Sequence, residues 1–295
     1  MEQYRNSRRM NTDIIFYKEL QPFLKCKDHS VSKESYSVLL NPEFEMLVTQ
    51  PVPNNLSEYY ISEAYISHTD SNKKLIDKIY QRVKKHALKK KLQLTNSFDS
   101  PEKKLLDVGS GTGDFLATCN RDGWNTFGVE PSENARRYSE EKNILAVDDI
   151  DLIKEANFDI ITLWHVLEHV PNLETYIQKL EKLLSPNGTL LIAVPNFKSY
   201  DAIHYKEYWA AFDVPRHLWH FSQNSIDKLF SQVSMKVKKT IPMKFDSYYV
   251  SLLSEKYKKG KNNFLNAFRI GFLSNYKAKR STEYSSLIYV LKKDR

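Results

Sequence analysis

Lys104-Leu105-Leu106-Asp107-Val108-Gly109-Ser110-Gly111-Thr112-Gly113-Asp114-Phe115-Leu116 is the stretch whose reading decides the fold. Its apolar opening predicts a strand that stops at three alternating glycines, after which helical spacing begins. Glycine is needed in such a loop because the chain must take positive φ and bring its backbone against a ligand that any Cβ would hold away. The helix that follows would turn unpaired N–H groups toward that ligand. A dinucleotide fingerprint, G-x-G-x-x-G, would require glycine at position 114, where this chain has Asp114. That acid carries the wrong charge to face a pyrophosphate.

A ligand with a cationic amine and a single carboxylate suits an acidic loop better, and the amino-acid end of S-adenosylmethionine has that character. Beyond the loop, Thr126-Phe127-Gly128-Val129 predicts a second strand ending at Glu130, followed by the break Pro131-Ser132. An acid at that place can accept both ribose hydroxyls. These residues resemble the class I S-adenosylmethionine-dependent methyltransferases, whose first strand ends in an acid-x-G-x-G-x-G loop and whose second ends in an acid.

Two further segments carry the resemblance. Phe158 to Leu163 predicts the fourth strand of the sheet and runs into Trp164-His165-Val166-Leu167-Glu168-His169-Val170-Pro171, which matches the family's segment along the methionine end of the cofactor. Leu184-Ser185-Pro186-Asn187-Gly188-Thr189-Leu190 has the family's L-x-P-x-G-x-L form, read as a helix stop and turn. The resemblance implies cofactor contacts at Asp107, Gly109, Ser110, Gly111, Gly113, Glu130, Pro131, Leu163, Trp164 and His165. It also implies an acid for the adenine amino group, Asp148 or Asp149; the other reading of Asp148 is a cap on the next helix. Taken alone, His165-x-x-Glu168-His169 also fits an inverted zinc-protease motif. That motif needs a continuous helix, whereas here the histidines follow a strand and Pro171 comes at once.

From Lys104 onward strands and helices alternate, which predicts a mostly parallel sheet of seven strands with helices on both faces, a Rossmann-like α/β fold. Strands are expected at 104–109, 125–130, 144–147, 158–163, 188–194, 235–241 and 286–292, and helices near 113–120, 132–142, 149–155, 172–184 and 223–232. Gly109, Glu130, Asp148 and Leu163 then fall at carboxyl ends of strands, where such sheets bind ligands. The expected domains are an N-terminal module (1–70), a lead-in helix and linker (71–100), and a catalytic domain (101–295) with cap segments at 197–222 and 244–284.

The N-terminal layout from Asp28 to Tyr60 resembles the small zinc ribbon that precedes the catalytic domain in one branch of the family. There a C-x-x-C pair precedes a T-x-P-x-P run; here Thr49 to Pro53 supplies the run, but Asn41 and Phe44 stand in the cysteine positions. Neither can replace a thiolate, so a metal-free remnant held by apolar packing is expected. Tyr59, Tyr60, Tyr65 and His68 are read either as a lid over cofactor or substrate or as packing of this segment onto the core.

In the first cap, Arg216, His217, His220, Phe221 and Ser222 match an R-H-x-x-H-F-S run that borders the active site in related methyltransferases. Long connections at a strand's carboxyl end often form substrate sites. The aromatics from Tyr200 to Phe221 are therefore expected to shape an apolar acceptor pocket, against the reading that they are the core of a cap. For an oxygen acceptor a base is needed, and His169, His217, His165 and His220 are the candidates, the first two preferred. The expected reaction is O-methylation of a small-molecule or lipid-intermediate acceptor, with S-adenosylhomocysteine as product and no metal.

Two other functions fit parts of the sequence. The net charge of +8, from 44 basic and 36 acidic residues, permits RNA methylation, but N-P-P-Y is absent after the fourth strand and the cations are scattered over helix faces. A non-catalytic cofactor binder would keep the glycine loop and Glu130, yet would not need the histidine-rich rim. The segment 244–284 mixes apolar residues with lysine and arginine, a pattern that either covers the core or contacts a membrane surface. Two cysteines, Cys26 and Cys119, cannot build a disulfide framework, and no run reaches the roughly 20 apolar residues of a membrane span. Together with the polar start from Met1 to Met10, this predicts a cytoplasmic enzyme.

Overall fold

The computed structural model describes residues 15–60 and 74–294. Seven strands form the expected sheet: β4 (Lys104–Val108), β5 (Asn125–Val129), β6 (Ala146–Val147), β7 (Phe158–Trp164), β8 (Leu184–Pro195), β10 (Met235–Pro242) and β11 (Ser286–Lys293). Their order is β10-β11-β8-β7-β4-β5-β6, with only β11 antiparallel to its neighbours. The crossover from β4 to β5 on one side and β7 on the other opens a crevice at the carboxyl ends of these strands.

Local sequence explains these elements. β7 carries Phe158, Ile160, Ile161 and Leu163, all fully buried, as expected for a strand covered on both faces. The Asp159 carboxylate accepts from the backbone N–H groups of Glu102 and Lys104, both at 3.1 Å, and so fixes the start of β4 against β7. Helices α1 (Lys74–Thr95), α2 (Asp114–Arg121), α3 (Glu133–Glu140), α4 (Leu173–Leu183) and α6 (Gln223–Ser231) cover the sheet. Ser132 caps α3 through Ala135 N–H, and Ser222 and Ser225 form a reciprocal capping box on α6.

Two expected elements differ. The helix expected at 149–155 is a single short turn, Ile150–Leu152, capped by the Asp149 carboxylate accepting from Asp151 N–H. No apolar face long enough to hold a helix to the sheet is present there, and Leu152 is itself exposed. The turn expected at 185–188 is instead the start of β8, which pairs Leu184 with Phe158 before the register shifts. Gly188 permits this close approach, since a Cβ there would lie 2.7 Å from the Phe158 carbonyl oxygen.

The N-terminal module contributes β1 (Gln21–Lys27), β2 (Ser35–Asn41) and β3 (Met46–Gln50), an antiparallel meander. It is completed by β9 (Trp219–His220), a strand donated by the first cap. Module and cap therefore share one sheet. The Asn41 amide donates to the Phe16 carbonyl at 3.1 Å while its oxygen accepts from Phe44 N–H at 2.9 Å, and the buried Phe44 ring meets Phe16 edge-on at 4.9 Å. Asn41 thus closes the hairpin and Phe44 packs into the main core. Buried Arg216 locks the arrangement: it donates to Asp213, and to Ser30 Oγ at 2.6 Å in the β1–β2 turn.

The cap aromatics are core. Tyr205, Trp209 and Phe212 are buried in a second apolar cluster with Cys26, Tyr36 and Val38 of the N-terminal module, while Trp219 and Phe221 join the main one. This corrects the expectation that they line an open acceptor pocket: the cap needs its own apolar interior to stand on the sheet. The segment 244–284 forms a helical hairpin, α7 (Asp246–Lys259) and α8 (Phe264–Ser281), packed on the short cap helix α5 (Tyr200–Tyr205).

Candidate active site

The glycine loop crosses the carboxyl end of β4 with Gly109, Gly111 and Gly113 at φ of 73°, 54° and 74°. Their surroundings differ. A Cβ on Gly109 would lie 2.3 Å from Val166 Cγ2, whereas one on Gly111 would meet nothing within 4 Å. Gly109 is thus a packing position and Gly111 faces an open cradle. Gly109 and Ser110 both donate to the Val129 carbonyl, tying the loop to β5, and the buried Ser110 hydroxyl has no partner.

Glu130 follows β5 beside the cradle. Its carboxylate accepts from Gly111 N–H at 2.8 Å and Ser132 N–H at 2.9 Å. Pro131 is exposed next to it, and Asp148 is exposed at the end of β6; the cap on the following turn is Asp149. Asp107 lies behind the loop, accepting a 2.5 Å hydrogen bond from Thr162 on β7; burial pushes its carboxyl up to about 7 against that bond. The Leu163 side chain is in the main core, so only its backbone borders the crevice. Trp164 meets Phe115 edge-on, has the Lys91 ammonium 4.3 Å above its ring, and keeps an unpartnered, buried indole N–H. Asp114 is turned away by ion pairs to Lys84 at 2.6 Å and Lys142 at 3.1 Å.

At the end of β7 the chain turns sharply. His165 has φ of 57°, a conformation costly for a residue with a Cβ, on the order of 1–3 kcal/mol. Its backbone N–H is held by the Ala193 carbonyl, and its ring lies between two acids, Glu168 Oε1 at 3.4 Å and Asp246 Oδ2 at 3.3 Å. Burial opposes a charge here, but the bonds to Asp246 and Glu168 outweigh it and push the imidazole up to about 10. His165 is then an imidazolium at neutral pH, which removes it from the candidate bases. Glu168 is held down to about 2, chiefly because the ion pair with His165 outweighs its burial.

The other three histidines are each held by a fixed hydrogen bond. His169 Nδ1 lies 3.0 Å from the Arg216 carbonyl and from the Tyr60 hydroxyl, and His217 Nδ1 lies 2.9 Å from the Ala211 carbonyl. A carbonyl only accepts, so each Nδ1 carries a proton; His217 Nε2 lies 3.9 Å from Asp213 Oδ2. The two rings meet edge-on at 4.6 Å. Burial and the neighbouring His217 lower His169 to about 4. His220 is different: its Nε2 bonds Thr49 Oγ1 at 2.9 Å, and Thr49 in turn donates to the His217 carbonyl. Burial and His217 lower it to about 3. This corrects the placing of His220 among the bases; it joins the cap to β3.

Ligand atoms of Glu168, His169 and His217 all lie within 4.8 Å of one another, a grouping that could hold a cation. The H-x-x-E-H run is no helix, since 167–169 is one short turn. Tyr60 sits at the histidines, whereas Tyr59 bonds Tyr36 and Glu34 on the N-terminal module. Tyr65 and His68 lie outside the described residues. Sequence reasoning missed Asp246, which reaches His165 from the far end of the chain with no spacing signal, and Glu168, which was visible inside its own quoted motif.

Residues 65–237, spanning the loop, Glu130 and the whole histidine cluster, match a family described as methyltransferase domain. The chain belongs to that methyltransferase family. Among curated proteins, this methyltransferase-family chain is 34% identical over 108 residues to the ubiquinone biosynthesis O-methyltransferase of Actinobacillus pleuropneumoniae serotype 5b (strain L20), covering 32% of this chain and 46% of that protein. The enzyme of the same name from Histophilus somni (strain 2336) is 34% identical over 116 residues, covering 34% and 48%. The chain spans less than half the length of these curated relatives. Among solved structures, phosphoethanolamine N-methyltransferase 2 of Haemonchus contortus is 18% identical, with a TM-score of 0.44, covering 67% of this chain and 50% of that one.

Proposed function

We propose that the chain transfers the methyl group of S-adenosylmethionine to an oxygen of a small or lipid-like acceptor. The residues fit the cofactor. Gly111 faces open space, Glu130 lies beside it, and the buried Ser110 hydroxyl and Trp164 indole N–H lack partners, features that support a cofactor site at this loop. When bound, the group supplies a carbon activated for displacement by its sulfonium. Gly109, Gly111 and Gly113 would shape the loop around it, Glu130 would accept from its ribose, and Asp148 would take its adenine amino group. The distant likeness to ubiquinone biosynthesis O-methyltransferases supports a small-molecule acceptor.

For the chain's own residues, the tasks are alignment, exclusion of water and removal of one proton. The observation that carries this reading is the His169–His217 pair, whose rings meet edge-on at 4.6 Å with ring nitrogens grouped beside the Glu168 carboxylate. His169, kept neutral by burial, can take one proton from an acceptor hydroxyl with the Glu168 anion beside it. His165, cationic and fixed by Asp246, orients Glu168.

The test is transfer of labelled methyl to a panel of phenolic and hydroxylated acceptors. His169→Ala is expected to lower turnover by about 10²–10⁴, the usual contribution of a general base, with cofactor affinity unchanged. Unchanged turnover would contradict the assignment. A second reading rests on the grouping of Glu168, His169 and His217: a divalent cation held there would acidify the acceptor hydroxyl. Exhaustive chelation separates the two. Unchanged turnover leaves the proton to the histidine pair, and a loss restored by added cation assigns these side chains to a metal.

A further inference from the structure

Among the described residues, twelve large apolar side chains stand exposed, and seven of them lie between Phe245 and Tyr276 on the helical hairpin. On α8 they form one stripe: Leu265, Phe268, Phe272 and Tyr276 follow each other at three- and four-residue steps, with Leu265 88% and Phe268 65% exposed. The opposite face, with Ala267, Ile270, Ser274 and Ala278, is buried against the rest of the molecule. An exposed stripe of this size needs an occupant.

Charge says which. Between residues 246 and 281 there are eight basic residues and two acids. Both acids are turned inward: Asp246 bonds His165, and Glu255 is buried with Tyr205 and Asn266 as partners. All eight basic residues are exposed, and Arg269, Lys279 and Arg280 share the α8 face with the apolar stripe. Lys259 reaches Glu255 at 3.2 Å, and the remaining outward charge of the hairpin is positive around an aromatic and aliphatic strip, the composition of a helix that lies in the interface of an anionic membrane.

We infer that the α7–α8 hairpin docks the protein on the surface of an anionic lipid bilayer, with Leu265, Phe268 and Phe272 entering the headgroup layer and the flanking cations meeting lipid phosphates. The start of the hairpin adjoins the histidine site. Phe245, 75% exposed, directly precedes Asp246, whose carboxylate holds His165 at the end of β7. A lipid-like acceptor would then reach the histidine cluster from the bilayer without crossing water. That last step rests on the proposed methyl transfer; the docking does not.

The experiment is vesicle flotation of the full chain with phosphatidylcholine vesicles, with and without phosphatidylglycerol, at low and high salt, beside light scattering for oligomeric state. Wild type is expected to float with phosphatidylglycerol vesicles at low salt, and the Leu265→Glu, Phe268→Glu double variant to lose at least about tenfold of that binding. Lys279→Glu with Arg280→Glu should lose as much, and high salt should weaken the wild type. Unchanged melting temperature and cofactor affinity in both variants show that the fold is kept, since all four side chains are exposed. No flotation of folded wild type, equal flotation with neutral vesicles, or a dimer that the Leu265→Glu, Phe268→Glu variant dissociates would overturn the inference. Flotation requires no turnover, so its failure is distinguishable from failure of the methyl-transfer reading.

Discussion

The two halves of the crevice are built in opposite ways. Around β4 and β5 the surface is backbone: three glycines at positive φ and one carboxylate, all within a short stretch of chain. Around β7 it is side chain: His165, Glu168 and His169 from the post-strand turn, His217 from the cap, Tyr60 from the N-terminal module and Asp246 from the hairpin. A backbone site needs only the local permissiveness of glycine. A side-chain site needs several distant segments to fold before its groups acquire their partners.

Glycine substitutions test the backbone half most severely. Gly109→Ala drives a methyl into Val166 and strains the left-handed turn, so cofactor affinity is expected to fall by about 100-fold, ~3 kcal/mol. Gly111→Ala has open space around it. Its unliganded stability should fall by only about 1 kcal/mol, from φ alone, while the added methyl fills the cradle and still weakens binding. Melting curves with and without cofactor separate these. Equal loss of unliganded stability in both variants would break the distinction between a packed and an open glycine.

In the side-chain half, Asp246→Asn removes one of the two acids that keep His165 charged. Turnover should fall about tenfold, of the order of a positioning effect on a general base, with cofactor affinity within about twofold. The His165 ring, followed by NMR, should titrate at lower pH than in wild type. A variant with full turnover would show that the hairpin only covers the site.

Acid stability probes the same half more gently. The folded-state pKa of His220 lies near 3, below its ordinary value of 6.5, so between those values the unfolded chain binds a proton that the folded chain refuses. Stability therefore falls as pH drops from about 6.5 toward 3. His220→Gln, which cannot take that proton, should show a shallower decline by up to one proton in denaturant melts across this window. An unchanged slope would mean that His220 is not a neutral buried ring.

What could be read in the sequence follows the same division. The strand–loop–helix at 104–116 and the acid at Glu130 are contiguous, so spacing alone placed them, and the sheet followed from alternating apolar runs. His169 and His217 also stood in motifs, and the structure brings their rings together at 4.6 Å. Charge states were not legible. Whether His165 is a base or a fixed cation depends on Asp246, in a helix whose sequence gives no sign of where it packs. His220 looks like its neighbour His217 until Thr49 of β3 is known to bond it. The cap aromatics misled for a related reason: aromatic density marks burial, and only topology tells whether the burial is a pocket wall or the inside of a lid.

The most direct measurement is isothermal titration of S-adenosylmethionine and S-adenosylhomocysteine into wild type and Glu130→Ala. Binding by wild type that the substitution weakens by about 1–3 kcal/mol, the loss expected when a ribose hydroxyl loses a charged acceptor, is the predicted result. Failure of folded wild type to bind either ligand would contradict the cofactor site, and the assignments at His169 and His217 would fall with it.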